Sequence, residues 1–272
     1  MKLKVALIVY ILMLCGWIYA HNIQRFEYYS SENGLSQNTV YSILCDKNGF
    51  LWLGTMNGLN RYDGETFKVY KGLTENGQLQ NSSRIERIWE DKADFIWTET
   101  YDGAYQYFNQ RTEKFGSLPT QSDNIVDAAT CFVQYSPNIV IVGSDISGVY
   151  ALYLKDPLNG YEVVNFKPIP NNETADVRNA YVDKYKGLWI MTDKGIAYFN
   201  EQQILNKDFK PTIYCPKSSF TGAIAEIGKE LLFGTEREGL IICKHNDTKF
   251  EFLKDERLNR NDVSQLKIVS DS

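Results

Sequence analysis

The sequence contains few side chains whose type and spacing could support catalysis. Its two histidines are His21, near the N-terminus, and His245, in the stretch CKHNDTK. Neither has a second histidine nearby at a metal-binding spacing, and no Ser-His-Asp arrangement can be assembled around them. We therefore expect His245 to be a solvated residue of a turn. We predict no catalytic residue, no metal and no cofactor for this chain.

Two pairs of side chains with oxygen atoms have spacings that could serve calcium binding or glycoside hydrolysis. In DKNG, Asp46 and Asn48 carry oxygen atoms two residues apart. An EF-hand loop is much longer and ends in Glu, so a hairpin turn is the preferred interpretation. Glu236 and Glu238 could in principle supply the two carboxyl groups of a glycosidase, which lie ~5–9.5 Å apart. Acidic pairs are common on exposed loops, so this pair carries little weight.

A repeated unit must position these residues. The segment LWLGTMNGL, residues 51–59, returns in four variants along the chain. The anchor position of the five units is occupied in turn by Trp52, Trp97, Ile141, Trp189 and Leu232, at spacings of 45, 44, 48 and 43 residues. A period in the forties, combined with apolar–polar alternation, is typical of a β-propeller in which each repeat is one four-stranded blade.

We predict an all-β chain with about five blades and the first strand of a sixth, which is an incomplete ring. Residues 1–20 are expected to be a signal peptide or an N-terminal anchor, because two lysines precede an apolar run. Residues 21–272 are expected to be propeller repeats. The predicted blades lie near residues 34–70, 79–118, 126–168, 175–214 and 218–253, and residues 262–272 start the next. Because five blades and one inner strand would leave an unpaired edge, we expect a portion of a larger protein.

Recurring aromatic residues and glycines are the expected structural anchors of the blades. Trp52 is predicted to be buried between neighbouring blades, with Gly54 and Gly58 allowing backbones to approach each other. The full set is Trp52, Gly54, Gly58, Trp97, Gly103, Trp189, Gly195, Gly234 and Gly239. Glu99 and Met191 stand where the first unit has Gly54. The cysteines of the repeats, Cys45, Cys131, Cys215 and Cys243, are expected to be buried free thiols.

A four-stranded meander brings its variable loops together at one face. The entry to the first strand and the loop between the second and third strands open on that face. Its candidate ligand-binding residues are Asn38, Asn57, Arg84, Tyr101, Asp102, Asp145, Arg178, Asp193, Lys194, Glu236 and Arg237. Polar groups that hold hydroxyls, with an aromatic face for the ring, suit a saccharide. Taken one at a time, these residues are better explained as ordinary solvated loop positions.

Residues 34–64, GLSQNTVYSILCDKNGFLWLGTMNGLNRYDG, closely resemble the two-component regulator propeller repeat, and the other units match it more loosely. In that family the repeats form the periplasmic sensor of hybrid histidine kinases. The resemblance implies an exported N-terminal sensor portion that detects an oligosaccharide and regulates polysaccharide utilisation. It also implies a full-length relative that is anchored in the inner membrane and forms a homodimer. This chain is expected to have no enzymatic activity, because it carries no kinase motif.

Two other functions stay open at this point. One is an exported propeller enzyme, such as a lyase or a glycosidase, and the other is a protein-interaction scaffold that uses the same face. A nucleic-acid partner is not expected, because the net charge is −5 and no basic block is present.

Overall fold

The computed structural model describes residues 26–71, 83–117, 129–145, 148–170, 175–246, 249–258 and 261–268. The predicted signal peptide, residues 1–20, lies outside these ranges. Among the described residues, no helix has the length and apolar character that crossing a bilayer requires.

The described residues form five four-stranded antiparallel sheets. Blade 1 contains β1 (Val40–Cys45), β2 (Leu51–Thr55), β3 (Gly58–Tyr62) and β4 (Phe67–Tyr70). Blade 2 contains β5 (Ile85–Glu90), β6 (Phe95–Thr100), β7 (Tyr105–Asn109) and β8 (Lys114–Ser117). Blade 3 contains β9 (Ala129–Ser136), β10 (Ile139–Ser144), β11 (Val149–Asp156) and β12 (Gly160–Phe166). Blade 4 contains β13 (Val177–Val182), β14 (Leu188–Thr192), β15 (Gly195–Phe199) and β16 (Thr212–Tyr214), with α1 (Glu201–Leu205) before its last strand. Blade 5 contains β17 (Phe220–Ile227), β18 (Glu230–Thr235), β19 (Leu240–Asn246) and β20 (Lys249–Lys254). Short 3-10 turns occur at Ser31–Asn33 and Glu256–Leu258.

Strands within every blade pair in chain order, so each blade is a meander. The prediction of an all-β propeller of four-stranded blades is therefore confirmed. The predicted first strand of a sixth blade is not assigned as a strand in residues 261–268, because no second strand pairs with it in the described chain. Its backbone nevertheless follows blade 5, since Gly239 N donates to Asn261 O at 3.1 Å and Val263 N donates to Thr235 O at 3.0 Å.

A buried carboxylate organises the turn between the first two strands of blade 1. Asp46 Oδ1 accepts hydrogen bonds from the backbone N–H groups of Asn48 and Phe50, each at 2.9 Å. Asp46 Oδ2 accepts the indole N–H of Trp52 at 2.8 Å. Both Asp46 and Trp52 are buried. The DKNG stretch is thus a hairpin turn whose aspartate holds the anchor tryptophan.

The same arrangement recurs in blades 2 and 4. Asp91 Oδ2 accepts the Nε1–H of Trp97 at 2.6 Å, and Asp183 Oδ2 accepts that of Trp189 at 2.8 Å. Asp91 Oδ2 also accepts the hydroxyl of Tyr161 at 2.6 Å, which comes from blade 3. All three tryptophans are fully buried and pack against aromatic rings of an adjacent blade or of their own.

Glycines on the second strands make room for the next blade. A Cβ at Gly54 would lie 2.5 Å from Ser42 Oγ and 2.9 Å from Ile85 Cγ2 of blade 2. A Cβ at Gly143 would lie 2.6 Å from Val177 Cγ1 of blade 4. Where Met191 replaces this glycine, its side chain is fully buried in the apolar cluster that joins blades 4 and 5. Blade contacts at these positions are therefore set by side-chain volume.

Glu99 occupies the same position in blade 2, and its carboxylate is largely buried. Arg87 Nε lies 3.3 Å from Glu99 Oε2. Burial raises the pKa of the Glu99 carboxyl above its ordinary value, and the neighbouring Arg87 opposes that rise.

Two expectations about single residues are wrong. Cys45 is exposed, because β1 alternates and Cys45 lies on its exposed side, whereas Cys131 and Cys243 are buried as free thiols and Cys215 is half-buried. His245 is not in a turn: it lies on β19, which extends to Asn246, and its ring stacks on Tyr185 with centroids 4.5 Å apart.

We expect Asp46→Ala to lower the free energy of unfolding by about 3 kcal/mol or more, because each buried donor left without its acceptor costs about 1–3 kcal/mol. Chemical denaturation checks this value. Asp208→Ala is the control, since Asp208 is exposed and its loss should change stability by less than about 0.5 kcal/mol. Equal effects of the two substitutions would contradict the role given to Asp46.

We expect Trp52→Ala to cost about 3–5 kcal/mol, because the ring is fully buried between blades 1 and 2 and its removal leaves a cavity. The measurement is thermal or chemical unfolding, with Tyr28→Ala as a matched aromatic control because Tyr28 is 91% exposed. An unchanged melting temperature for Trp52→Ala would overturn the blade assignment.

Glu99→Gln is expected to remove a pH dependence of stability. A carboxyl whose pKa is raised by folding contributes stability that is present below its ordinary pKa and is lost as pH rises through the folded pKa. The stability of Glu99→Gln relative to the unsubstituted chain should therefore increase between about pH 4 and pH 7. Denaturation at several pH values measures this difference.

Glu113→Gln supplies the opposite control. The hydrogen bond from Lys68 lowers the pKa of the Glu113 carboxyl, so its contribution to stability is present at neutral pH and is lost as pH falls. The relative stability of Glu113→Gln should therefore decrease as pH rises toward about 4.5, the ordinary pKa of the carboxyl, and stay level above it. Parallel trends for the two variants would show that the Glu99 assignment is incorrect.

Candidate functional site

The variable loops and the entry segments of the blades meet at one end of the sheets, which we call the loop face. It comprises residues 56–57, 83–84, 101–102, 176–178, 193–194 and 236–237. Backbone hydrogen bonds connect its parts: Tyr101 N donates to Arg84 O at 2.9 Å, and Asp193 N donates to Asp176 O at 3.2 Å. The tight turns after the first and third strands lie at the opposite end, as an antiparallel meander requires.

Arg84 is held between two tyrosine rings on this face. Its guanidinium carbon lies 4.5 Å from the ring centroid of Tyr41 and 4.3 Å from that of Tyr101. Arg84 also pairs with Glu86 at 2.7 Å. Tyr101 is 64% exposed, so part of its ring surface is accessible to a ligand. We call these four residues the arginine–tyrosine cluster.

A second cluster surrounds Arg178 and is called the acid–arginine cluster. One guanidinium nitrogen of Arg178 lies 3.8 Å from a carboxylate oxygen of Asp176 and 3.6 Å from one of Glu236. Asp193 belongs to the cluster because its Oδ1 accepts the backbone N–H of Asp176 at 2.8 Å. Strand β13 supplies Arg178, whereas the loops of blades 4 and 5 supply Asp193 and Glu236.

Arg178 also borders a cavity of about 460 Å³ that lies between the inner strands of blades 3, 4 and 5 and is wide open to solvent. We call it the central cavity. Its polar lining includes Thr130 of β9, Asn179 of β13, Thr221 of β17 and Gln265 of the segment after blade 5. This volume lies within the range of about 300–1,000 Å³ that small-molecule sites occupy. The lining offers hydroxyl and amide groups rather than a catalytic pair.

The structure thus groups five of the eleven candidate residues: Arg84 with Tyr101, and Arg178 with Asp193 and Glu236. The other candidates are not part of either cluster, and two of them form hydrogen bonds with the segment before β1. Asn38 Oδ1 accepts the backbone N–H of Ser31 at 2.7 Å, and Asn57 Nδ2 donates to Ser36 O at 3.4 Å.

The remaining four candidates lie at loop positions. Asp102 accepts a hydrogen bond from the Thr100 hydroxyl, and the backbone N–H of Lys194 donates to Thr192 Oγ1. The side chains of Asp145 and Arg237 are exposed.

Sequence reasoning missed the inner-strand residues of the site. Tyr41, Asn179 and Thr221 lie on first strands, where the repeat pattern indicates only an apolar inner ring. The sequence of β1, VYSILC, has no polar–apolar alternation that singles out Tyr41; only the structure shows that half-buried and exposed positions alternate along this strand. Alternation of this kind places one set of side chains toward the centre of the propeller.

Glu236 and Glu238 do not form a matched acid–base pair. Glu236 pairs with Arg178, whereas Glu238 accepts the Ser218 hydroxyl at 2.6 Å and lies 3.2 Å from Lys254. The Ser218 hydrogen bond lowers the pKa of Glu238, which is the reverse of what a general acid needs. Within the described ranges, no group of three or more His, Cys, Asp or Glu side chains is arranged to hold a metal ion.

Comparison with known proteins supports the sequence resemblance in the first blade. The family model described as "Two component regulator propeller" matches residues 34–57. A protein named histidine kinase P4 from Formosa agariphila is 48% identical over 50 residues, which are 18% of this chain and 4% of that protein. The chain therefore spans a small fraction of this relative.

A solved structure with a TM-score above 0.5 shares the fold at low sequence identity. PorZ, a surface component of the type-IX secretion system of Porphyromonas gingivalis, is 16% identical with a TM-score of 0.52, covering 85% of this chain and 36% of its own. The extracellular domain of the hybrid two component system BT3049 from B. thetaiotaomicron is 21% identical with a TM-score of 0.48, covering 90% of this chain and 31% of its own. The chain thus spans about a third of each of these structures. Its first blade carries a two component regulator propeller repeat.

Proposed function

We propose that this chain is a sensor portion of an exported hybrid two-component histidine kinase and that its loop face binds an oligosaccharide in the periplasm. The matching repeat in blade 1 and the fragment shared with a histidine kinase support the sensor role. In this proposal the chain performs no chemistry of its own. Ligand binding is the input, and the kinase part of the full-length protein produces the output.

The arginine–tyrosine cluster is the observation that carries the saccharide proposal. An exposed tyrosine ring offers an apolar face against which the C–H groups of a pyranose can pack. The adjacent Arg84 guanidinium supplies planar hydrogen-bond donors for ring hydroxyls. Together they match the mixed apolar and polar surface of a sugar.

Preorganisation favours binding at this cluster. The rings of Tyr41 and Tyr101 and the carboxylate of Glu86 restrict the Arg84 side chain before any ligand arrives. Ordering a long side chain on binding costs about 0.5–1.5 kcal/mol, and this cost is reduced when the side chain is already held. The cluster can therefore recognise a weakly binding neutral molecule with few contacts.

We expect Tyr101→Ala to weaken oligosaccharide binding about fivefold to tenfold, because it removes the ring surface and one side of the Arg84 clamp. The ligand is first found by thermal-shift screening of the purified chain against oligosaccharides prepared from plant and algal polysaccharides. Isothermal titration calorimetry then gives the affinities of both forms.

Tyr28→Ala is the matched control, because Tyr28 is also an exposed tyrosine but lies outside the loop face. Its affinity should equal that of the unsubstituted chain. If Tyr101→Ala keeps full affinity while remaining folded, the arginine–tyrosine cluster is not the binding site. Turnover of a polysaccharide by the purified chain would contradict the sensor proposal and favour an enzyme.

A further inference from the structure

The central cavity contains one charged side chain among its described lining residues, Arg178. The other polar groups there are uncharged hydroxyls and amides, including Thr130, Asn179, Thr221 and Gln265. Phe132 and Ile224 add apolar surface. The charge of this one arginine therefore decides whether the cavity attracts an anion.

Carboxylates beside the cavity balance the charge of Arg178. Asp176 and Glu236 lie 3.8 Å and 3.6 Å from its guanidinium. Asp193 adds a third carboxylate to the acid–arginine cluster through its bond to the backbone of Asp176. Arg178 can therefore donate hydrogen bonds to a ligand, but it offers little net attraction for a negative charge.

An anionic ligand would meet two costs at this site. Its carboxylate or sulfate would have to compete with Asp176 and Glu236 for Arg178, and it would be repelled by those two carboxylates. Repulsion between like charges at such distances amounts to about 1 kcal/mol or more where solvent partly screens it. A hydroxyl group meets neither cost, since it accepts from Arg178 and donates to the nearby carboxylates.

We propose that the central cavity binds a neutral, hydroxyl-rich saccharide and discriminates against uronic-acid and sulfated saccharides. This inference rests on the proposed function: it extends the saccharide site from the arginine–tyrosine cluster of the loop face to the cavity that Arg178 of the same face borders, and it adds the charge class of the ligand. Glu236 then acts as a specificity residue, because its carboxylate neutralises the cation that an acidic sugar would otherwise bind.

The test compares sugars that differ only in charge. α-1,4-Linked galactotriose and trigalacturonate share linkage and size but differ at C6, which is a hydroxymethyl group in one and a carboxylate in the other. These probes are accompanied by two panels, one of neutral oligosaccharides and one of uronate or sulfated oligosaccharides. Binding to the full chain is measured by calorimetry at low and at high salt.

We expect every ligand found to be neutral and to bind at least about tenfold more tightly than its acidic counterpart. The affinity for the neutral sugar should not depend on the salt concentration. Glu236→Gln should raise the affinity for the acidic counterpart about threefold to tenfold, because it releases part of the charge of Arg178. Glu162→Gln is the matched control. The Glu162 carboxylate lies 2.7 Å from Lys207 Nζ, and Glu162 is not one of the residues that line the cavity. Its substitution should therefore change the affinity for neither the neutral nor the acidic sugar.

Preferential, salt-sensitive binding of an acidic oligosaccharide would overturn the inference while leaving the saccharide-binding function intact. An unchanged affinity of Glu236→Gln for the acidic sugar would overturn the role of Glu236. If no member of either panel binds, the proposed function itself fails, and the inference on charge fails with it.

Discussion

The fold depends most on a carboxylate that is buried in a turn and bonded to an indole. An ionised carboxylate is costly to bury unless its oxygens are hydrogen-bonded. Asp46, Asp91 and Asp183 meet this condition with two backbone N–H groups and a tryptophan N–H each. One side chain thereby closes the hairpin and fixes the large ring between the sheets. Trp52, Trp97 and Trp189 can then pack at the centre of the apolar clusters, because the indole N–H of each has a hydrogen-bond acceptor.

Packing of this kind determines where the variable residues lie. With the tight turns fixed at one end of each sheet, the longer connections open at the other end. Glycines at the close approaches, such as Gly54, let the inner strand of the next blade come near. Arg84 therefore lies beside Tyr41 of the preceding blade, and Arg178 lies beside Glu236 of the following one. The packing of neighbouring blades therefore brings these residues of the loop face together, although they come from different loops.

The repeat pattern was sufficient to predict the blades, because each unit carries its own period-two alternation and turn chemistry. It was also sufficient to place Arg84 and Tyr101 on one face. The pairing of Arg178 with Glu236 could not be predicted, because it depends on how blades 4 and 5 pack. The hydrogen bond from each tryptophan to a turn aspartate could not be predicted either, because in the sequence Asp46 looks like an ordinary turn residue. His245 was misplaced because a strand end and a turn have the same polar composition here.

One hydrogen bond distinguishes blade 2 from blade 1 in a way that concerns synthesis. All partners of Asp46 lie between residues 48 and 52, so its network can be completed as soon as the first blade has left the ribosome. Asp91 also binds the hydroxyl of Tyr161, which is 70 residues further along the chain. Domains emerge N-terminal end first, at about 5–20 residues per second. The hydrogen bond between Asp91 and Tyr161 can therefore form only several seconds after blade 2 has been synthesised. Until blade 3 has also been translated, blade 2 lacks this stabilising contact.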